Sequence, residues 1–322
     1  MSVRWGILGT ANIARAAFLP ALRRTTGTAY AVGSRHLDVA ESFALRMDID
    51  HAYAGYDRIL TDPAVDAVYI PLPNSLHEEW TIAALNQGKH VLCEKPLAPN
   101  PAAVERILHA ASAGPGYLWE AFAFPFHRQF QQVQGIIASG RIGSLRQITS
   151  AFHFRVQSAE NIRWSHELGG GALNDVGCYP VHLASRWFSG PKHTTGLALT
   201  RNGVDAEVHG LVAYEDSHIL ELSAGMTRYF DTLTRWLGTE GQVIAQNPFH
   251  PGVGDRWFVV NGDHVESFAA ADHEESFFDM VDHINRVIEG TASPLHLAQD
   301  ESLITAQIMA SLRTHWTMIQ KQ

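Results

Sequence analysis

Val3-Arg4-Trp5-Gly6-Ile7-Leu8-Gly9-Thr10-Ala11-Asn12-Ile13-Ala14 decides how the first third of this chain is read. Residues 3–8 are a short apolar run, and the glycine behind them opens a helical pattern over 13–24. Strand, glycine turn and helix make the corner on which a dinucleotide rests its pyrophosphate. Gly9 permits the tight turn, Ala14 lets the helix lie close to the strand, and backbone N–H groups at the helix start face the phosphates. Gly9, Thr10, Ala11, Asn12 and Ile13 are therefore candidate cofactor contacts. Ala11 stands where such fingerprints usually carry a second glycine, and an ordinary strand-turn-helix corner would look similar.

Working outward, the alternation continues. Residues 28–34, 66–71, 89–93 and 117–121 read as strands, and 37–47, 76–86 and 101–113 as helices. Strands alternating with helices of this length predict a parallel sheet covered on both faces. After Phe122 the texture changes. Helical patterns at 125–139 and 174–188 frame a strand at 145–156. Alternating runs follow at 206–213, 218–224, 233–237, 242–245, 257–260 and 265–268, and helical patterns at 274–289 and 299–320 close the chain. His218-Ile219-Leu220-Glu221-Leu222 alternates as a sheet with one buried face does. The expected fold is an α/β Rossmann domain over 1–121, followed by an α+β domain over 122–322 with a largely antiparallel open sheet.

Composition narrows the function classes. The 322 residues carry a formal net charge of −9, which argues against a general phosphate-backbone binder. Cys93 and Cys178 offer no disulfide framework, which points to a reducing cytoplasm. Met1-Ser2-Val3-Arg4-Trp5 lacks a charged segment followed by an apolar one, and no apolar stretch approaches the roughly 20 residues that span a bilayer. A soluble intracellular protein is the expectation. The 18 histidines are scattered, with no His-Glu-x-x-His and no Cys-x-x-Cys, and His77-Glu78-Glu79 and His273-Glu274-Glu275 sit in helix-like contexts. No metal site is expected.

Three further places carry chemistry. Glu94-Lys95-Pro96 follows His90-Val91-Leu92-Cys93, so Lys95 stands at the carboxyl end of a buried strand, where open α/β sheets hold their ligands. The second strand ends in Gly33-Ser34-Arg35-His36, where NAD enzymes carry an acid for the ribose 2′-hydroxyl. Ser34 and Arg35 instead suit the 2′-phosphate of NADP, although Ser34 or His36 could equally serve only to begin the helix. Gly169-Gly170-Gly171-Ala172-Leu173-Asn174-Asp175 leads to Tyr179, and on a helix Asp175 and Tyr179 share a face.

With these motifs in view, the sequence resembles the glucose-fructose oxidoreductase / inositol dehydrogenase / MocA family over essentially its whole length. The resemblance rests on Gly6-Ile7-Leu8-Gly9 with Ala14, on Tyr69-Ile70-Pro71-Leu72-Pro73-Asn74 with His77, on Glu94-Lys95-Pro96, and on Gly170-Gly171-Ala172-Leu173 with Asp175 and Gly177. It implies a nicotinamide cofactor, with Pro71, Asn74, His77, Glu94 and Lys95 near it, and Lys95, Asp175 and Tyr179 lining the reaction site. Most members have histidine where this chain has Tyr179, and often an acid where it has His182. Tyr179-Pro180-Val181-His182, preceded by Asn161-Ile162-Arg163-Trp164, is similar to the branch of dimeric dihydrodiol dehydrogenase and the NADP-dependent aldose dehydrogenases. That likeness adds Arg163 and Trp164 to the cofactor set and makes inositol dehydrogenase activity less expected.

The expected reaction is hydride transfer between NADP and a sugar, keto-sugar or dihydrodiol, with Tyr179 as acid and base and Lys95 tuning it. A free tyrosine ionises about three units above neutrality, so the phenolate needs about 4 kcal/mol of preferential stabilisation. The Lys95 ammonium is the source proposed, with Asp175 orienting it or binding a substrate hydroxyl. Phe122 and His182 are further substrate candidates, alongside Glu120, His127, Arg163 and Trp164, although aromatics such as Phe122, Phe124 and Phe126 often form core. The competing reading is a non-catalytic regulator of the same fold that senses a sugar or dinucleotide. An intact Lys95 and Tyr179 favours the enzyme, since a sensor needs no proton relay. A homodimer or higher homo-oligomer is expected from the resemblance and from a sheet that leaves one face uncovered.

Overall fold

The computed structural model describes residues 2–271 and 275–320, and the chain divides into two compact units. His273 and Glu274, and with them the expected start of a helix at 274, lie outside the described residues.

The first unit comprises the residues up to Ala98, Ala102–Phe122 and Phe277–Gln299. Its sheet contains β1 (Arg4–Leu8), β2 (Thr28–Ser34), β3 (His51–Ala54), β4 (Ala67–Ile70), β5 (His90–Cys93) and β6 (Leu118–Glu120). They run parallel in the order β3-β2-β1-β4-β5-β6. The order reverses direction between β1 and β4, and that switch point opens a crevice at the carboxyl ends of the strands. Strand interiors are apolar throughout, as a sheet covered on both faces requires: Ile7, Val32, Val68, Tyr69, Val91 and Leu92 are all buried. The sequence pattern missed β3, whose His-Ala-Tyr-Ala has no buried face and pairs only at the sheet edge.

The second unit comprises Pro99–Pro101, Ala123–Ser276 and the chain from Asp300 onward. Its strands are β7 (Leu145–Arg155), β8 (Pro191–Arg201), β9 (Val204–Tyr214), β10 (Ile219–Gly225), β11 (Thr227–Asp231), β12 (Thr234–Gly238), β13 (Gln242–Ala245), β14 (Arg256–Asn261), β15 (His264–Ala269) and β16 (Trp316–Gln320). The order is β15-β14-β13-β12-β7-β10-β9-β8-β16, with β11 also pairing β7. Pairing is antiparallel except for β10 with β7 and β16 with β8. Helices pack on one face, where Val212, Leu220, Leu222, Trp236 and Val243 are buried. Leu197, Leu211 and Ile219 stand exposed on the strands.

Two expectations change. The closing helix ends at His315, and Trp316–Gln320 is a strand on the edge of β8 rather than a continuation. Its aromatic and β-branched residues suit that pleated edge. The helix Ser276–Ile288, assigned by sequence to the second domain, belongs from Phe277 on with the first. The reason is a buried polar contact 280 residues apart in sequence: the Trp5 indole N–H donates to Asn285 Oδ1 at 2.9 Å. Asn285 Nδ2 donates onward to Thr25 Oγ1 at 2.7 Å. Asn285→Ala strands a buried indole donor and should cost about 1–3 kcal/mol in urea unfolding. An unchanged midpoint would show that this contact does not tie the helix to the first unit.

Candidate active site

In the first unit the site begins at Gly9. Its φ of +105° is a region that side chains resist, and a Cβ there would meet Leu72 Cδ2 at 3.0 Å. Gly9 N–H donates to Gly33 O at 2.9 Å, which ties the turn to the end of β2. Thr10 and Ala11 are half-buried, and Asn12 and Ile13 exposed, at the start of the helical segment. The first turn of any helix leaves N–H groups without intrahelical partners, so this corner fits a diphosphate. A π-type turn, Ala14–Phe18, follows and leads into Leu19-Pro20, absorbing a proline that an unbroken α-helix resists.

At the end of β2, Ser34 is buried and its carbonyl accepts from Gly55 N–H at 2.8 Å, while Arg35 is exposed. His36 is the residue before the helix Leu37–Met47, but its side chain makes no capping bond. Exposed at the strand end, Arg35 offers guanidinium donors that fit a ribose phosphate.

The loops after β4 and β5 are locked together. Tyr69 OH donates to Glu94 Oε1 at 2.7 Å, and Lys95 N–H lies 3.3 Å from Glu94 Oε2. Leu97 N–H donates to Glu120 Oε1 at 2.8 Å. Lys95 and Glu94 are half-buried, and the Lys95–Pro96 peptide is cis. Pro71 is buried and Asn74 half-buried at the head of a short 3₁₀ turn, Asn74–Leu76. His77 was expected to lie near a cofactor. It is fully buried, with Nδ1 2.8 Å from Pro96 O and Nε2 2.9 Å from Leu72 O. The imidazole braces the two loops from beneath. Burial pushes its pKa below the ordinary value, outweighing the two carbonyls that favour a proton, and the Lys95 charge adds to the depression.

In the second unit the glycine run is read by its neighbours. Gly171 has φ +108°, and a Cβ there would collide with the Asp205 carboxylate. Asp205 Oδ2 accepts from Leu173 N–H at 2.6 Å, and Asn174 Nδ2 donates to Gly169 O at 3.0 Å. Arg313 donates to Asn174 Oδ1, and burial raises the Asp205 pKa. Sequence reasoning missed Asp205 and Arg313, which carry no motif. A second π-type turn, Leu173–Gly177, then leads into the helix Cys178–Ala184 and its Pro180.

Asp175 and Tyr179 both lie on this segment. The Asp175 carboxylate accepts from Arg163 Nε at 2.6 Å, an ion pair that no local pattern signals. The Tyr179 ring lies among Phe152, Phe249 and His250, with centroids 5.0, 5.2 and 5.5 Å away. Of these three, Phe152 is on a strand that the flanking helical patterns framed, whereas Phe249 and His250 lie in a loop that no pattern singled out. Trp164 is core: it is buried with Ala172, Val204, Ala206 and Met226, and Arg201 lies 4.8 Å over its ring.

His182 also turns inward. Its Nδ1 is 3.2 Å from Thr305 Oγ1 and its Nε2 3.2 Å from Arg186 Nη2, so the ring joins two packed helices. Phe122 is buried, Glu120 serves the loop already described, and His127 caps the helix Arg128–Ala138. Both cysteines are buried thiols outside any disulfide, no group of residues suited to a metal occurs among the described residues, and no described helix is long and apolar enough to cross a membrane.

The brace makes a pH prediction. Burial makes the folded chain give up the His77 proton more readily than the unfolded chain, which takes it up near pH 6.5. The associated stability is complete above that pH and is lost as pH falls below it. Urea midpoints of the wild type should therefore drop between about pH 7 and about pH 5 more steeply than those of His77→Gln. Equal slopes would remove His77 as a source of the pH dependence.

Comparison with known proteins agrees with this architecture. Residues 3–122 match the oxidoreductase family with an NAD-binding Rossmann fold, GFO_IDH_MocA, and residues 130–244 match the GFO/IDH/MocA C-terminal domain. The chain is 31% identical over 319 residues to a dTDP-3,4-didehydro-2,6-dideoxy-α-D-glucose 3-reductase of Actinomadura kijaniata, covering 97% of this chain and 95% of the relative. It is 34% identical to an NADP⁺ D-xylose 1-dehydrogenase of Haloferax volcanii over 76% of each chain. A crystal structure of a 3-ketoreductase from A. kijaniata with NADP and TDP-benzene superposes with a TM-score of 0.89 at 29% identity, covering 100% of both chains. That reductase has also been solved as a tyrosine-to-phenylalanine variant and as a lysine-to-alanine variant. With both family domains matched in order, this chain belongs to the GFO/IDH/MocA family of oxidoreductases.

Proposed function

We propose that the protein transfers a hydride between NADP(H) and a hydroxyl or carbonyl carbon of a sugar, with Tyr179 as acid and base. The observation that carries the reading is the pair Lys95 and Tyr179. The lysine and tyrosine replaced in the A. kijaniata variants stand the same number of residues apart as Lys95 and Tyr179 do here. The relatives that act on dTDP-sugars and on D-xylose support a sugar, with dihydrodiols as the second class to test.

A bound nicotinamide would supply the hydride acceptor or donor. Gly9, Thr10, Ala11, Asn12 and Ile13 would hold its diphosphate, and Ser34 with Arg35 its 2′-phosphate. NADP is favoured because no acid stands at that strand end. In oxidation Tyr179 takes the proton of the substrate hydroxyl, and in reduction it returns a proton to the forming alcohol. Lys95 favours the phenolate and polarises the substrate oxygen. Phe152 and Phe249 place apolar walls around the Tyr179 ring, which raises the strength of any charge interaction made there. Asp175 acts through its ion pair with Arg163.

The test is a spectrophotometric panel of free aldoses, keto-sugars, dTDP-linked sugars and trans-dihydrodiols, run with NADP and NAD separately. Turnover of a sugar with a preference for NADP is expected. Dinucleotide binding without turnover across the panel would favour the sensor. On the best substrate, Tyr179→Phe and Lys95→Ala should each lower kcat by at least about a hundredfold. Near-normal turnover by Tyr179→Phe would remove it as the acid–base group. We also propose a homodimer through the uncovered sheet face, where Leu197, Leu211 and Ile219 are exposed. Sedimentation as a monomer at micromolar concentration would refute it.

A further inference from the structure

Among the rings around Tyr179, two are buried phenyls: Phe152 and Phe249 stack on each other at 5.5 Å and 4°. The other, His250, is exposed, polar and set at 69° to the tyrosine. It is not a loose surface residue. Phe249, fully buried, anchors the loop beside it. Asn247 Nδ2 donates to His250 O at 2.5 Å, and His250 N–H lies 3.3 Å from Asn247 Oδ1. Asp255 Oδ2 accepts from Asn247 Nδ2 at 2.9 Å and from Gly252 N–H at 2.8 Å. Thr232 Oγ1 donates to Gln246 O at 3.1 Å. The backbone of this loop is thus held before any ligand arrives, and it carries an imidazole next to the tyrosine that the reaction uses.

We propose that His250 determines substrate specificity by hydrogen-bonding a sugar hydroxyl beside the reacting carbon. The inference rests on the reading of Tyr179 given above. Small-molecule sites pair apolar walls with a few fixed polar groups. Here buried Phe152 and Phe249 back the tyrosine ring with apolar surface, and His250 supplies the exposed polar edge. A neutral imidazole carries one donor and one acceptor, which matches a hydroxyl, itself both donor and acceptor. With the loop backbone already held and the ring already packed against Phe152 and Tyr179, little order has to be added on binding. A site built to bond a hydroxyl also rejects the analogue without it more strongly than an apolar pocket rejects an extra group.

The experiment uses the best sugar of the panel and its deoxy analogue lacking one hydroxyl beside the reacting carbon, with wild type, His250→Ala and His250→Gln. His250→Ala should lose about tenfold to a hundredfold in kcat/KM on the full sugar and little on the deoxy analogue. His250→Gln, which keeps a donor and an acceptor, should recover part of the loss. NADPH affinity and Tm should stay at wild-type values in both variants, since the ring is exposed. His250→Ala within threefold of wild type on the full sugar overturns the proposal, as does an equal loss on both sugars. A wild type that turns over no sugar at all refutes the functional reading itself, and the proposal with it.

Discussion

The first unit depends on how the loops beyond β4 and β5 are held once the sheet's ladder of hydrogen bonds has ended. A parallel sheet stops at its carboxyl edge with carbonyls that need partners, and a ligand site placed there cannot itself be floppy. One buried imidazole, His77, spans Leu72 O and Pro96 O and joins the two loops. Glu94 and Glu120 complete the arrangement by accepting from Tyr69 OH and Leu97 N–H. Lys95 therefore projects from a segment whose neighbours on both sides are fixed, at the cost of burying a histidine.

The second unit solves the same problem with different groups. Three consecutive glycines give the chain no side chains with which to order itself. Order comes from Asp205, which fills the space beside Gly171 and accepts the Leu173 N–H, and from Asn174 and Arg313. The following π-type turn accommodates Pro180 and delivers Tyr179 to Phe152, Phe249 and His250. In both units a proline shortly beyond a π-type turn leaves the helix intact, at Pro20 and at Pro180.

Much of this was legible locally. The strand, Gly9 turn and helix appear where the apolar run and the glycine placed them, and Lys95 follows β5 as the pattern required. Alternation located β9, β10 and β12, and the helical patterns on either side framed β7. What local patterns did not carry was the set of partners each polar residue meets in the fold. His77, His182 and Trp164 sit in motifs that looked functional, yet each is absorbed in packing or bracing. His250 sits in no motif and yet stands beside Tyr179. The partner of a polar side chain comes from another part of the chain, and periodicity carries no record of it.

Sequence alone determined that this chain builds a parallel dinucleotide-binding sheet and then a largely antiparallel one, because both follow from periods of side-chain placement along a few residues. It also determined the residue types offered for chemistry, a lysine at a strand end and a tyrosine beyond a glycine run. Tertiary structure decided the rest. It moved the helix Ser276–Ile288 to the first unit through the contact of Trp5 with Asn285, turned residues 316–320 into an edge strand, and paired Asp175 with Arg163. Each of those outcomes is a contact between residues distant in sequence, whose energy exists only once the chain has folded around it.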